Sequence, residues 1–410
     1  NTIARFRSQK LKDVFKDIFK QVVLLLAQEG LVKLKEVYTD GTKIESVAGR
    51  YTFVWGNALK TQKEKMARQL EEMWEYAQSI ADEEDTDPTP PDFKKVDKEK
   101  VEKTAQKIDK ILKGNPKASS KAKAKARYIA KNFPANLEKY EQQEQLLGNR
   151  SSYSKTDPDA TFMRMKEDHM KNGQLKPGYN VQISSEDQFI VNYTLHQDTN
   201  DIHTLRPHLE NYEYLYQNLP ETLTADAGYG SQENYELLSE KGIKGYVKFN
   251  TFDKEQNKAG KKRKEKAPFH RDQLYYNEKE DHYVCPMGQR MEKIAQATKT
   301  TKSGYRQTVS KYSAKNCNGC PIRNVCFKGK YNRVIERNHA LEHYKQKARE
   351  HLLSEIGEIK RRKRTADVEP VFAHIKSNRN FKRFTHRGLD KVELEFGLHA
   401  LAHNMRKKSA

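Results

Sequence analysis

The stretch that decides the fold is Leu223-Thr224-Ala225-Asp226-Ala227-Gly228-Tyr229-Gly230-Ser231. Its first residues predict a short β-strand, and the glycines that follow allow a sharp backbone turn that leaves the carboxylate exposed. In α/β sheets, ligands bind outside the carboxyl ends of the strands. We therefore predict that Asp226 stands at the end of a core strand, where it faces a ligand.

Strands and helices alternate on both sides of this segment. The hydrophobic patterns predict further strands at 179–183, 189–195 and 245–249, and helices at 205–217 and 232–241. An amphipathic helix that ends near Gly30 precedes all of them. This alternation predicts a layered α/β sheet flanked by helices.

A second carboxylate is predicted at a strand end in the run Thr39-Asp40-Gly41-Thr42. Asp-Gly is also a common turn dipeptide, so the pattern alone does not separate a site from a turn. Two such carboxylates on different strands are able to meet at one site. Asp157, Asp159 and Asp201 also lie near predicted strands, and it stays open whether Asp201 or Asp157 takes the place of Asp40.

A third carboxylate, Glu369, lies in the predicted helix Val368-Glu369-Pro370-Val371-Phe372. We expect Pro370 in the first turn of this helix, and Glu369 and Lys376, two turns apart, on one side of it. A single Glu on a helix is usually a surface residue. The three carboxylates together fit phosphodiester chemistry, in which two Mg²⁺ ions activate a nucleophile and stabilise the leaving oxygen. Mg²⁺ prefers oxygen ligands.

The charge of the chain points to a polyanion partner. The 410 residues include 77 Lys and Arg against 56 Asp and Glu, a net charge of +21, which is typical of nucleic-acid binding. The densest apolar run, 22–27, is far shorter than the roughly 20 residues that cross a bilayer, so we expect no membrane partner. The chain does not begin with Met, and we expect a further N-terminal portion whose content the sequence does not give.

The region from 58 to 150 differs from its surroundings. Apolar residues at heptad spacing are followed by an acidic run at 82–85 and by Pro88, Pro90 and Pro91, after which helical spacing resumes. We interpret the region as a charged helical insertion folded as a hairpin. A solvated helical spacer would show the same pattern.

Four cysteines lie in the last third of the chain: Cys285, Cys317, Cys320 and Cys326. Cys-x-x-Cys with an internal glycine is a metal-binding pattern, and the other two thiols complete a tetrahedral set for structural zinc. Four reduced thiols, or a pair oxidised after purification, are the alternatives. Just before them, Lys258 to Lys266 predicts a disordered or nucleic-acid-contacting loop.

Five segments give the sequence a specific likeness: 40–45, 156–160, 178–182, 225–231 and 368–372. With them the chain resembles a bacterial insertion-sequence transposase of the DDE, RNase H-like superfamily, in the branch with a Cys-rich insertion before the final Glu. The resemblance covers nearly the whole chain. It implies that Asp40, Asp226 and Glu369 are the catalytic triad and bind Mg²⁺ or Mn²⁺. It also implies metal-dependent cleavage and strand transfer at the ends of a mobile element.

The same resemblance implies a basic footprint for DNA around Glu369. Related transposases place an Arg before the Glu, where Arg364 is one residue out of step, and a Lys after it, where Lys376 has the expected spacing and would contact a phosphate. The remaining candidates are Arg379, Lys382, Arg383 and Arg387. The implied partners are double-stranded DNA, both inverted-repeat ends and target, and a second copy of the chain in synapsis. The implied location is the nucleoid in the cytoplasm.

The predicted organisation is an RNase H-like mixed sheet interrupted by two insertions. Its parts are an N-terminal helix and first strands (1–57), a charged helical insertion (58–150), the core (151–250), a basic loop with the Cys-rich module (251–337) and C-terminal helices with the catalytic Glu (338–410). Two other functions remain open: a non-catalytic DNA-binding protein descended from a transposase, and a nuclease without strand transfer. The sequence does not specify the terminal repeats, the target, the mode of transposition or the oligomeric state.

Overall fold

A computed structural model describes residues 2–81, 91–93, 97–165, 173–256 and 269–409. The predicted acidic run at 82–85, Pro88, Pro90 and the basic loop from Lys258 to Lys266 lie outside the described residues.

The described chain is a mixture of helices and strands. The helices are α1 (Thr2–Arg5), α2 (Phe15–Gln28), α3 (Gly56–Ile80), α4 (Lys98–Gly114), α5 (Ser120–Leu147), α6 (Leu205–Tyr216), α7 (Gln232–Glu240), α8 (Phe252–Gln256), α9 (Arg323–Cys326), α10 (His339–Leu353), α11 (Glu355–Ala373) and α12 (Leu389–Lys408). The strands are β1 (Glu36–Glu45), β2 (Phe53–Trp55), β3 (Ser152–Ser154), β4 (Thr161–Arg164), β5 (Leu175–Glu186), β6 (Phe189–His196), β7 (Thr222–Ala225), β8 (Lys244–Val247), β9 (Tyr276–Asn277), β10 (His282–Val284), β11 (Arg290–Thr300), β12 (Arg306–Ala314) and β13 (Val334–Arg337). Shorter helical turns are π-helical at Phe6–Leu11 and His374–Asn378 and 3₁₀ at Asp201–His203, Ala227–Tyr229 and Arg271–Gln273.

The main sheet has the strand order β4-β5-β1-β7-β8, and β6 also pairs with β5. β1 is antiparallel to β5 and parallel to β7, which is parallel to β8. Because α11 contacts β1, β5 and β7 while α12 contacts β6, the inner strands are covered by helices. The mixed α/β prediction is confirmed.

The sequence predicted Asp40 at the end of a strand, but in the structure it lies inside β1. β1 continues through Gly41 to Glu45, and its second half pairs with β5 as far as Glu45 opposite Gly178. A side chain at position 41 would collide with Gln182 and Asp201, so the glycine serves a close approach rather than a turn. The pairing with β5 overrides the turn preference of Asp-Gly.

Within its described residues, the helical insertion contains three helices, where the sequence predicted a hairpin. α3, α4 and α5 contact one another and enclose a hydrophobic core of their own. Met66, Leu70, Met73 and Ala77 of the predicted heptad seam are buried in it. A second sheet, ordered β13-β12-β11-β10-β9, spans the cysteine region. No helix among the described residues combines the length and apolar character that crossing a membrane requires.

Two histidines, the buried His208 of α6 and the half-buried His196 at the end of β6, are connected through hydroxyl groups. His208 Nε2 is 2.9 Å from Ser184 Oγ, and its Nδ1 is 2.7 Å from Thr194 Oγ1, which is also 2.7 Å from His196 Nε2. Burial lowers the pKa of His208 to about 3, with a further contribution from His196, and lowers the pKa of His196 to about 4. Both rings are therefore neutral in the folded protein at pH 7.

We expect acid to destabilise the fold through these two rings. Because their folded pKa values lie below the ordinary 6.5, the unfolded chain takes up protons first. The stability they confer is complete above pH 6.5 and is lost as the pH falls toward 4. Thermal unfolding between pH 7 and pH 5 should show a smaller decrease in midpoint for His208→Gln than for the wild type. The exposed His343→Gln is the control and should behave as wild type; an unchanged slope in His208→Gln would refute this account.

Candidate active site

Asp40 and Asp226 are held side by side by strand pairing. The parallel ladder between β1 and β7 runs to Thr39 opposite Ala225, so the two aspartates are the next residues along both strands. Asp40 Oδ1 accepts a hydrogen bond from the Gly41 amide at 2.8 Å, and Asp226 Oδ1 accepts one from the Gly228 amide at 2.8 Å. Asp40 is buried and Asp226 is half-buried. Two carboxylates from different strands thus meet where β7 ends.

Asp201 lies at the same place. Its Oδ1 accepts hydrogen bonds from Asn180 Nδ2 at 2.8 Å and Gln182 Nε2 at 2.9 Å, both on β5. A Cβ atom added to Gly228 would be 2.9 Å from Asp226 Oδ1 and 3.3 Å from Asp201 Oδ2. The two carboxylates therefore flank one glycine, and Asp201 stands beside the predicted pair.

The hydroxyl group of Tyr229 is buried near the negative charges of these carboxylates. Tyr229 is fully buried, and its hydroxyl donates to Gln182 Oε1. Burial raises its pKa well above the usual value, and the negative charges of Asp201, Asp40 and Asp226 raise it further. The tyrosine stays protonated, so it remains a hydrogen-bond donor. The sequence analysis did not identify Asn180, Gln182 and Tyr229 as site residues. The first two are polar residues two apart on a buried strand, a pattern that places both side chains on one face and could have indicated the site.

Arg364 connects the third carboxylate to this pair. Its Nη1 is 3.5 Å from Asp40 Oδ2, and its Nη2 is 3.5 Å from Glu369 Oε1. The Arg364 side chain is 14% exposed, whereas that of Glu369 is 51% exposed. Within the described residues, Nη1 is buried and makes no hydrogen bond that satisfies the usual geometry. Arg364 therefore faces the carboxylates, and its contact with DNA stays a prediction.

Pro370 lies in the last turn of α11, not in a first turn, because the helix begins at Glu355. A proline has no N–H to bond the carbonyl four residues earlier, which is that of Ala366. Gln188 Nε2 donates to the Ala366 carbonyl instead, at 2.9 Å, and Asp367 Oδ1 accepts from the Gln188 amide at 3.1 Å. The β5–β6 turn thereby anchors the helix that carries Glu369.

Lys376 is buried, not presented on the same exposed side as Glu369. The backbone changes from an α-helix to a π-helical turn at His374, which shifts the side chains that follow. Lys376 Nζ donates to Thr42 Oγ1 at 3.2 Å. Thr42 and Asp40 are two apart on β1 and share one face of the strand. The structure thus places this ammonium at Thr42, two residues along β1 from Asp40.

The other predicted DNA contacts divide into three kinds. Arg383 Nε donates to the Ser46 carbonyl at 3.1 Å and Arg387 Nε to the Val47 carbonyl at 2.9 Å, so both hold the loop after β1. Lys382 is exposed. Arg379 lines a separate cavity. Contact of any of these residues with DNA stays a prediction.

Asp157 is a structural residue. It is fully buried and accepts hydrogen bonds from Ser46 Oγ at 2.5 Å, the Tyr179 hydroxyl at 2.9 Å and the Gly388 amide at 3.0 Å. Asp159 accepts from the Leu389 amide at 2.8 Å at the start of α12. These contacts favour a structural role for Asp157 over the role of first catalytic aspartate.

We expect Asp157→Ala to lower the free energy of unfolding by about 3 kcal/mol or more, because it leaves several buried donors without an acceptor. Asp159→Ala, which removes the acceptor of the Leu389 amide and of Gln197 Nε2 at a less buried position, should cost less. Chemical denaturation of both variants checks this ranking. Equal stability of Asp157→Ala and the wild type would contradict the structural role.

The arrangement of the four cysteines does not support the predicted zinc site. All four are free thiols of intermediate exposure. Arg333 donates from its amide to Cys317 Sγ at 3.4 Å and from Nη1 to Cys326 Sγ at 2.9 Å. Across the described ranges, no three His, Cys, Asp or Glu side chains are grouped closely enough to hold a metal ion. The zinc prediction therefore has no support in the described residues.

For Mg²⁺, the donor chemistry is suitable although the ligands are not gathered around one point. Carboxylate oxygens are its preferred protein ligands, and Asp40, Asp201 and Asp226 supply them from neighbouring elements. The position of Gly228 keeps the space between two of these carboxylates free of a side chain. Glu369 is held to one side by Arg364.

Comparison with known proteins places part of this architecture in a family. Residues 284–408 match the family described as Transposase DDE domain, a segment that includes Glu369, α10, α11 and most of the second sheet. The match bears out the resemblance to a DDE transposase over this segment and supports transposase activity in general. No significant match was found among curated proteins or among solved structures.

Proposed function

We propose that the chain is a DNA transposase with an RNase H-like core that hydrolyses and transfers DNA strands at the ends of a mobile element. The observation that supports this most is the register of β1 and β7, which sets Asp40 beside Asp226. Arg364 joins Glu369 to the same group. A decayed, non-catalytic copy would be under no constraint to keep two acids around one guanidinium.

Asp40, Asp226 and Glu369 would hold Mg²⁺ or Mn²⁺, and Asp201 adds a fourth carboxylate beside them. When bound, two such ions supply an activated water or 3′-hydroxyl and stabilise the departing oxygen. The role of the chain's other residues is to keep the acids in position. Asn180 and Gln182 fix Asp201, and the protonated Tyr229 fixes Gln182.

Arg364 acts as the positive charge that keeps Asp40 and Glu369 together in the absence of other cations. Carboxylates that face one another repel, and a guanidinium between them lowers that repulsion. We propose that Glu369 leaves Arg364 when the site is loaded. Its exposed side chain allows that movement, while Asp40 is held within β1.

DNA would be bound mainly through its phosphates. Residues 361–410 contain 13 Lys and Arg against 5 Asp and Glu, a local net charge of 13 − 5 = +8. Phosphate contacts of this kind fix the register of DNA and weaken steeply with salt. Double-stranded element ends, target DNA and a second copy of the chain are the proposed partners.

We expect Asp226→Asn, Asp40→Asn and Glu369→Gln each to reduce Mg²⁺-dependent cleavage of DNA from the element's own ends by roughly 100-fold or more, since each removes a metal ligand from the transition state. Asp253→Asn, an exposed carboxylate on α8, is the matched control and should retain activity.

Thermal midpoints near that of the wild type would show that the three site variants remain folded. Cleavage and strand transfer are separated by supplying a pre-cut end with target DNA. If Asp226→Asn cleaves as well as the control, the proposed function is wrong. Cleavage without joining of the pre-cut end would indicate that the protein is a nuclease and not a transposase.

A further inference from the structure

A basic cavity lies between the end of α11 and the end of α12, against the β5–β6 turn. It has a volume of about 510 Å³, which falls in the usual range for small-ligand pockets. Its walls come from the π-helical turn His374–Asn378, the last turns of α12 and Gln188. None of the carboxylates of the candidate active site lines it.

The charges around this cavity are all of one sign. Arg379, Arg406 and Lys407 line it together with His374 and His403, and no acidic residue does. The rings of His374 and His403 are 6.0 Å apart. In the described part of the chain, neither Arg379 nor Arg406 forms an ion pair with a carboxylate, which distinguishes them from Arg383 and Arg364.

These groups repel one another. Burial lowers the pKa of the Arg379 guanidinium, and the charge of Arg406 lowers it further. Burial also lowers the pKa of His403; the hydrogen bond to the Gln188 carbonyl opposes this shift, and the charges of Arg379, His374 and Lys407 add to it. A cluster of cations held in this way is stabilised when an anion enters it.

The walls are fixed before any ligand binds. His403 Nε2 donates to the Gln188 carbonyl at 2.8 Å, and Gln188 is itself tied to α11 through Asp367 and the Ala366 carbonyl. Lys407 Nζ lies 5.0 Å from the centre of the Phe189 ring. His374, Asn378 and Arg406 are exposed, so the cavity is accessible from solvent.

We propose that this cavity binds one phosphate group, and that the backbone of DNA supplies it. Guanidinium groups hold phosphate oxygens through paired, charge-assisted hydrogen bonds, and two of them converge here. The phosphate assignment rests on the cavity alone. The assignment to DNA rests on the proposed function, for which the cavity would be an anchoring point outside the carboxylate group.

Inorganic phosphate is the probe for the cavity itself. Calorimetric titration of the full chain at constant ionic strength should give saturable binding of one phosphate per chain. The variant Arg379→Gln/Arg406→Gln should bind at least about tenfold more weakly. Arg206→Gln, an exposed arginine on α6, is the matched control and should bind as the wild type does.

The salt dependence of DNA binding tests the source of the phosphate. Each neutralised phosphate contributes about 0.9 to the slope of log K against log salt, so the double variant should lose about one unit of slope and Arg206→Gln none. Because removing mutually repelling charges does not weaken packing, the double variant should unfold at or above the wild-type midpoint. The single variant Arg406→Gln, at an exposed position, provides a second test of the same slope.

Each outcome has a defined meaning. Weakened phosphate binding together with the reduced slope supports the proposal, and the reduced slope alone supports DNA as the ligand. Phosphate binding with an unchanged slope rejects DNA as the source. If the variant shows neither the weakened phosphate binding nor the reduced slope, the proposal is overturned. Neither measurement involves cleavage, so failure of the proposed transposase chemistry would appear separately, in the Asp226→Asn assay.

Discussion

The parallel pairing of β1 with β7 is the constraint on which the candidate site depends. Because the ladder ends at Thr39 opposite Ala225, the next residue on each strand is an aspartate. β5 pairs with the other edge of β1 and supplies the two amides that orient Asp201. The proposed catalytic site therefore depends first on the register of the paired strands and second on the chemistry of the side chains. A shift of one residue would turn Asp40 to the other face of the sheet.

The third carboxylate depends on a different kind of contact. α11 packs against the sheet, and the β5–β6 turn fixes it through Gln188. The Gln188 side chain donates to the Ala366 carbonyl, which Pro370 has no N–H to bond. Arg364 then sets the distance between sheet and helix at the site, since it contacts Asp40 and Glu369 at once. The same turn and the π-helical segment after α11 shape the basic cavity. The acidic site and the proposed phosphate site thus share their structural support.

Local patterns were sufficient for some of this structure. The strand that ends at Ala225, the turn after Asp226 and the helices that follow were evident because hydrophobic period, glycine placement and capping residues agree there. Asp40 was misplaced because Asp-Gly signals a turn, and only pairing with β5 extends the strand past it. The burial of Lys376 and the place of Pro370 depend on a helix that starts at Glu355 and changes to a π turn at His374, which no local pattern marked. The cysteine spacing suggested zinc, but spacing does not determine where the second sheet places the four thiols.

The central claim is that residues distant in sequence form one site for divalent cations. Iron-directed cleavage tests it without any knowledge of the DNA: Fe²⁺ is added in place of Mg²⁺, and hydroxyl radicals generated at the bound ion cut the nearby backbone. The account predicts cuts close to residues 40, 201, 226 and 369, suppressed by excess Mg²⁺ and lost in Asp226→Asn. Cuts elsewhere in the chain, or cuts at these positions that persist in Asp226→Asn, would contradict it.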